Sequence, residues 1–150
     1  MKPFTLRQAQ PEDAARLTAI AFAAKRHWGY PETWIQQWRA DLTISHQNLV
    51  NPTLVVCLED EMAAFCMVSG GDGEWDLEHL WVHPNFMGMG MGKTLFNAAC
   101  DLCRKRGGRS LTILSDPNAL EFYLKMGCVS QRSVASAIPG RTLPELRYSL

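Results

Sequence analysis

The sequence predicts a mixed α+β fold, with about six to seven strands, mostly antiparallel, and about four helices. Three observations predict it. Short apolar runs bounded by Gly, Pro or acidic turns recur through the chain and read as strands. Longer segments between them carry apolar residues at helical spacing. Hairpin-like pairs come first and a strand–helix–strand unit follows, so the strands flanking that helix are expected to be parallel.

The elements follow in order. Phe4-Thr5-Leu6-Arg7-Gln8-Ala9 alternates apolar and polar residues and reads as a first strand. Pro11-Glu12-Asp13 opens a helix with Pro near its start and acids in its first turn. Leu17, Ile20, Ala21 and Ala24 share one face of it, and it ends near Lys25-Arg26. Trp28-Gly29-Tyr30-Pro31 interrupts the pattern as an aromatic turn. A second helix is expected over Glu32 to Thr43, with Trp34, Ile35, Trp38 and Leu42 inside. Thr53–Glu59 and Met62–Gly70 form a hairpin around an acidic turn, and Glu74–Val82 is the next strand. Leu95, Ala98, Ala99, Leu102 and Cys103 mark the face of a helix that closes at Arg104-Lys105-Arg106 and Gly107-Gly108. Ser110–Leu114 is a short buried strand. Asp116-Pro117-Asn118 starts a further helix, with Asn118 and Glu121 as a capping box and Ala119, Phe122, Tyr123 and Met126 inside. Val129 to Leu150 reads as two strands around Ile138-Pro139-Gly140-Arg141. No repeat, linker or low-complexity tract divides the chain, so residues 1–150 are expected to form a single domain.

Composition narrows the function. Lys plus Arg and Asp plus Glu number 15 each, giving a formal net charge of zero. No basic excess points to nucleic acid or to a membrane surface. No apolar run approaches the length of a membrane span, and the first residues lack a signal-peptide core. A cytoplasmic location is expected. The five cysteines, at 57, 66, 100, 103 and 128, have no disulfide-framework spacing. Cys100 and Cys103 form a CxxC inside a helical pattern and read as core residues in a reducing compartment.

The stretch Met87-Gly88-Met89-Gly90-Met91-Gly92-Lys93 is the most unusual part of the chain. It stands between a strand and a helix. Glycine is costly in regular structure, so its density suggests that the backbone itself binds something. Backbone N–H groups and a helix N-terminus together suit a phosphate. A P-loop is excluded because its first glycine would fall at Met87, and a Rossmann fingerprint fails in either register.

Leu80-Trp81-Val82-His83-Pro84 followed by Met87-Gly88-Met89-Gly90-Met91-Gly92 resembles the acetyl-CoA-binding signature of the GNAT superfamily of N-acetyltransferases, L-x-V-x-P then Q/R-x-x-G-x-G/A. Asp116-Pro117-Asn118-Ala119 through Phe122-Tyr123-Leu124-Lys125-Met126-Gly127-Cys128 is similar to the family's N-x-x-A-x-x-F-Y-x-K-x-G-F segment. The element order agrees over nearly the whole chain. One departure is Met87, where the family has Gln or Arg.

The resemblance implies an α/β/α sandwich whose twisted sheet splays between two central parallel strands. It implies acetyl-CoA as cosubstrate. The pantetheine arm would pair near Leu80, Trp81 and Val82. The pyrophosphate would rest on Met87, Gly88, Met89, Gly90, Met91, Gly92 and Lys93. Asn118 and Tyr123 would flank the thioester, with Phe122 and Lys125 beside them. Tyr123 would protonate the departing thiolate. The residues themselves suggest Glu78 as general base, in a strand that would desolvate its carboxyl if central. Asp76 on the same face and His79 are the alternatives. His79 and His83 lie four apart on a strand, too far apart to chelate, and no metal is expected. Trp28, Tyr30 and Trp34 fit an apolar wall for the acceptor, with a cationic amine held by cation–π contact, or equally a homodimer interface. Ser136, Arg141 and Pro144 sit where they would rim an acceptor pocket. The expected activity is acetyl transfer to a primary amine, of a small molecule or a protein, by direct attack. The alternative is a non-catalytic acyl-CoA-binding sensor.

Overall fold

In a computed structural model, which describes residues 3–150, the strand-like runs of the sequence pair into one sheet. Strand β1 (Phe4–Gln8) runs antiparallel to β2 (Thr53–Leu58), with Phe4 opposite Leu58 and Gln8 opposite Leu54. β2 runs antiparallel to β3 (Glu61–Gly71), and the register shifts between Val56 and Cys57. β4 (Glu74–Val82) is parallel to β5 (Ser110–Leu114), pairing Glu74 with Ser110 and Leu77 with Ile113. β6 (Val129–Ala135) and β7 (Thr142–Ser149) pair antiparallel, and β7 also pairs antiparallel with β5. The seven-stranded sheet has the order β1-β2-β3-β4-β5-β7-β6. The expected mixed, mostly antiparallel sheet with one parallel crossover is therefore present.

The chain divides into two compact units. The first takes in the chain through Met67 together with His79–Ala99. A 3-10 turn at Pro11–Asp13 leads into α1 (Ala14–His27). Asp13 fixes that entry: its carboxylate accepts from the Gln10 amide at 2.7 Å and from Arg7 Nη1 of β1 at 2.8 Å. The Arg7 hydrogen bond, aided by the Gln10 amide, holds the Asp13 carboxyl below the usual range against the opposing effect of burial. Leu17, Ile20, Ala21 and Ala24 are all buried, as their spacing requires.

The expected helix over Glu32 to Thr43 is instead α2 (Glu32–Gln37) and α3 (Arg39–Leu42). They are separated at Trp38, whose φ of −87° and ψ of 3° leave the helical region. The buried Trp38 ring packs under the Lys25 ammonium, an interaction set by α1 rather than by the local pattern. Thr18 ties the segment after α3 back to α1: its Oγ1 accepts from the Ile44 amide at 2.9 Å and donates to the Ala14 carbonyl at 2.9 Å. Val55, Val56, Ala63, Ala64 and Phe65 complete this core with Leu95 and Phe96 of α4 (Met91–Lys105).

The second unit comprises Val68–Glu78 and Cys100–Leu150. Its core includes Trp75, Leu77, Cys103, Leu111, Ile113 and Leu146. α4 ends in a Schellman cap, with Gly107 at φ 80° and the Gly108 amide donating to the Cys103 carbonyl at 2.7 Å. The buried stripe of α4 is Leu95, Phe96, Ala99, Cys100 and Cys103. Ala98 and Leu102, expected inside, are half-buried. Burial pushes the Cys100 and Cys103 thiols up to about 11, so the CxxC pair consists of inert core thiols. Cys57, by contrast with the other cysteines, is only half-buried.

α5 (Leu120–Lys125) follows a 3-10 turn at Pro117–Ala119. The expected Asn118–Glu121 capping box does not form. Asp116 caps instead, accepting from the Asn118 amide at 2.8 Å, because Pro117 occupies the first helical position. No helix among the described residues is long and apolar enough to cross a membrane.

Candidate active site

The glycine-rich segment is built between two buried anchors. The chain leaves β4 at Val82, and the His83 amide donates to the Ala63 carbonyl at 2.9 Å. His83 Nδ1 accepts from the Asn85 amide at 3.1 Å and caps a 3-10 turn, Pro84–Phe86. Phe86 and Met91 are buried. Met87, Gly88 and Gly90 between them are exposed, and Met89 is half-buried. Met91 therefore offers its amide but not its side chain, while the Lys93 side chain reaches solvent.

Gly88 and Gly90 have φ of 82° and 83°, the left-handed region that L side chains rarely adopt. Its chain neighbours aside, a Cβ at either position would meet no atom of the described residues within 4 Å, so packing among them does not require the missing side chains. They are missing where backbone must turn sharply and lie open to an outside group. α4 starts directly after them, with the Thr94 amide donating to the Gly90 carbonyl at 3.1 Å. The amides of Met91, Gly92 and Lys93 precede the first intrahelical bond and point out of the helix end. The helix dipole places partial positive charge there. Open backbone, unfilled Cβ positions and a fifteen-residue helix behind them fit a pyrophosphate. Gly92 is the second residue of α4, so the alternating glycines have different tasks: two turn the chain and one lies in the helix.

Leu80, Trp81 and Val82 at the end of β4 are half-buried. His79 Nδ1 accepts from Trp81 Nε1 at 3.0 Å.

The aromatic cluster is nearer to closed than its composition suggests. Tyr30, Trp34 and Trp38 pack with ring centroids between 5.1 and 5.9 Å apart. The Lys25 ammonium lies 4.2 Å from the Trp38 centroid, 5.1 Å from Tyr30 and 5.9 Å from Trp81. The cation–π position offered to a cationic acceptor is thus held by the chain's own lysine, itself buried. Trp34 is half-buried rather than inside. Trp28 is 41% exposed and meets His27 edge-on.

The carboxylates lie in the second unit. β4 alternates with Trp75 and Leu77 inside and Glu74, Asp76 and Glu78 outside. Glu78 is exposed, and Ser69 Oγ donates to its Oε1 at 2.6 Å. Burial first, then repulsion from Glu78, Glu145 and Glu74, raises the Asp76 carboxyl above its usual range. Glu145 stands opposite Leu114 in the β5–β7 register, so no local pattern in β4 announces it.

Asn118 is exposed, with its main-chain N and Nδ2 both on Asp116 Oδ1 at 2.8 and 3.1 Å. Tyr123 is buried and meets the half-buried Phe122 edge-on at 5.0 Å. Lys125 is exposed. Arg141 is directed to Asp116 rather than to an open rim, its Nη2 donating to Oδ2 at 3.4 Å. Sequence reasoning misses this bridge and the Lys25 cage. Asp116 before Pro117 is a readable signal for the cap, whereas Arg141 carries none. Among the described residues, no group of three or more His, Cys, Asp or Glu is placed to hold a metal ion.

Comparison with known proteins agrees with this architecture. A structure of a GCN5-related N-acetyltransferase from Rhodopseudomonas palustris superposes with a TM-score of 0.80 at 29% identity, covering 100% of this chain and 97% of that one. The PaiA N-acetyltransferase of Thermoplasma acidophilum, solved with coenzyme A, shares the fold at a TM-score of 0.82 and 18% identity, covering 99% of each chain. A Bacillus subtilis protein provisionally described as a [ribosomal protein bS18]-alanine N-acetyltransferase is 27% identical over 96 residues, 60% of this chain and 63% of its own. Glucosamine 6-phosphate N-acetyltransferase of Trypanosoma brucei brucei is 33% identical over 58 residues, 39% of this chain and 40% of its own. The chain thus spans less than two thirds of the length of the curated relatives it matches. The sequence signature of the acetyltransferase (GNAT) family matches residues 14–128, more than half of the chain, and the chain belongs to that family.

Proposed function

We propose that this chain is a single-domain N-acetyltransferase that moves an acetyl group from acetyl-CoA to a primary amine by direct attack. The observation that carries the reading is the open turn at Gly88 and Gly90 against the N-terminus of α4. Amides of residues 88 to 93 hold the pyrophosphate, and Lys93 adds a mobile cation. Without the Gln or Arg that the family places at position 87, the backbone carries more of the binding. Leu80, Trp81 and Val82 align the pantetheine arm. Acetyl-CoA, when bound, supplies the acetyl group as an activated thioester.

The chain's own groups handle the protons. An amine attacks only when neutral, so a carboxylate takes a proton from its ammonium form. Glu78 is the proposed base, its orientation fixed by Ser69. Asp76 is the alternative, its carboxyl raised by burial and by the neighbouring carboxylates. The Tyr123 phenol donates to the departing thiolate, with Asn118, Phe122 and Lys125 beside it. Because Lys25 fills the cation–π cage, Trp28 and Tyr30 are assigned to an apolar part of the acceptor.

A panel of amines, from small molecules to peptide N-termini, tests the reading through CoA release. Turnover with at least one amine class is expected, with strong loss in Tyr123→Phe and in Glu78→Gln or Asp76→Asn. Acetyl-CoA binding without turnover on any amine would favour the sensor reading, to which the exposed Met87 lends support.

A further inference from the structure

We propose that Arg141 is a positioning residue for Asn118, acting through Asp116. The proposal rests on the reading of Asn118 as a cofactor contact.

The three side chains form a divided clamp. One oxygen of Asp116, Oδ1, receives both donors of residue 118, the main-chain N at 2.8 Å and Nδ2 at 3.1 Å. The other, Oδ2, receives Arg141 Nη2 at 3.4 Å. With Nδ2 held on Asp116, the Asn118 amide orientation is decided, and its carbonyl oxygen is directed away from Asp116. Arg141 holds the same carboxylate by its other oxygen. Arg141 is itself held, its Nη1 donating to Ser136 Oγ at 3.4 Å across the β6–β7 turn.

Backbone hydrogen bonds close both segments independently of this bridge. The turn is already closed by the Ser136 amide on the Arg141 carbonyl at 2.9 Å and the Arg141 amide on the Ile138 carbonyl at 3.1 Å. The start of α5 is closed by the Ala119 amide on the Asp116 carbonyl at 2.9 Å. The Arg141 and Asp116 side chains are nevertheless only 11% and 8% exposed. Burying such a pair costs desolvation that its attraction barely returns, so it is poor stabilisation. It is well suited to hold a contact residue in one orientation. The pair spans 25 residues of sequence to reach the residue two beyond Asp116.

The test is a double-mutant cycle on the full chain, reading acetyl-CoA dissociation by calorimetry and KM and kcat by CoA release. Arg141→Met is expected to weaken acetyl-CoA binding roughly tenfold, the scale of a lost charged hydrogen bond. Arg141→Lys is expected to recover part of the loss. Asn118→Ala is expected to weaken binding similarly, and Arg141→Met added to it should cost nothing more. An equal loss from Arg141→Met with and without Asn118, or no loss at all, would overturn the proposal. So would an Asn118→Ala variant that binds normally. Should Arg141→Met fail to fold, Arg141→Gln replaces it in the same cycle. If the wild-type chain does not bind acetyl-CoA, the site reading itself falls and this role falls with it, an outcome visible before any variant is made.

Discussion

Tyr123, Glu78 and Asp76 carry the chemistry proposed here, and each makes a separable prediction. Tyr123→Phe removes the phenolic proton and keeps the edge-on packing against Phe122, so kcat should fall by about 100-fold or more while acetyl-CoA affinity holds. Steady-state kinetics with calorimetry checks this, and unchanged kcat would remove Tyr123 from the mechanism. Asp76 makes a prediction about stability. Its folded carboxyl titrates above the unfolded value, so its favourable contribution is complete below the unfolded pKa and is lost as pH rises through the folded one. Asp76→Asn should therefore be more stable than the wild type at neutral pH, by about 0.5 kcal/mol or less at so accessible a site, with the margin gone in acid. Urea unfolding across pH measures it. The opposite slope belongs to Asp13, whose carboxyl is lowered by the Arg7 hydrogen bond. Its stabilisation is present above the unfolded pKa and is lost as pH falls through the folded one. Asp13→Asn should cost about 1 kcal/mol at neutral pH and progressively less below the ordinary Asp range.

At the scale of elements, the glycine turn predicts a dissociation between stability and binding. Gly90→Ala places a Cβ at φ 83° with, its chain neighbours aside, no atom of the described residues within 4 Å, so the cost to stability is backbone strain, about 1 kcal/mol. Gly107→Ala imposes the same strain at φ 80°, also in open space, at the far end of α4. Only Gly90→Ala should weaken acetyl-CoA binding, by about tenfold or more, because only there does the Cβ enter the space proposed for the pyrophosphate. Calorimetry on the two variants makes the comparison, and equal affinities would contradict it. The strands and α1 are legible in the sequence because each needs only its own period: β4 alternates, and Leu17, Ile20, Ala21 and Ala24 repeat on one helix face. The break at Trp38 is not legible, since it accompanies an ammonium supplied from α1. The cap falls on Asp116 rather than on Asn118, although Asp before Pro at the start of a helix is a local signal.

For the whole molecule, family membership and topology are legible together, because the two motifs and the order of strands are one-dimensional patterns. The perturbation of Asp76 is not. Its raised carboxyl depends in part on Glu145, brought to the β5–β7 ladder from far along the chain, and no periodicity within β4 encodes that charge. The Arg141–Asp116–Asn118 clamp is hidden for the same reason. The acceptor is the part of the function on which the chain's own Lys25 bears most directly. An aromatic cage already holding a cation disfavours a second one by repulsion, so amines with an apolar body should be better acceptors than polycations. The central claim is that the open glycine turn binds acetyl-CoA, and it is tested most directly by thermal unfolding of the wild-type chain across acetyl-CoA concentrations up to the millimolar range. The account predicts a midpoint that climbs with concentration, reaching roughly 2.7 kcal/mol of added stability at 100 times the dissociation constant. A midpoint that does not move at saturating acetyl-CoA would contradict it.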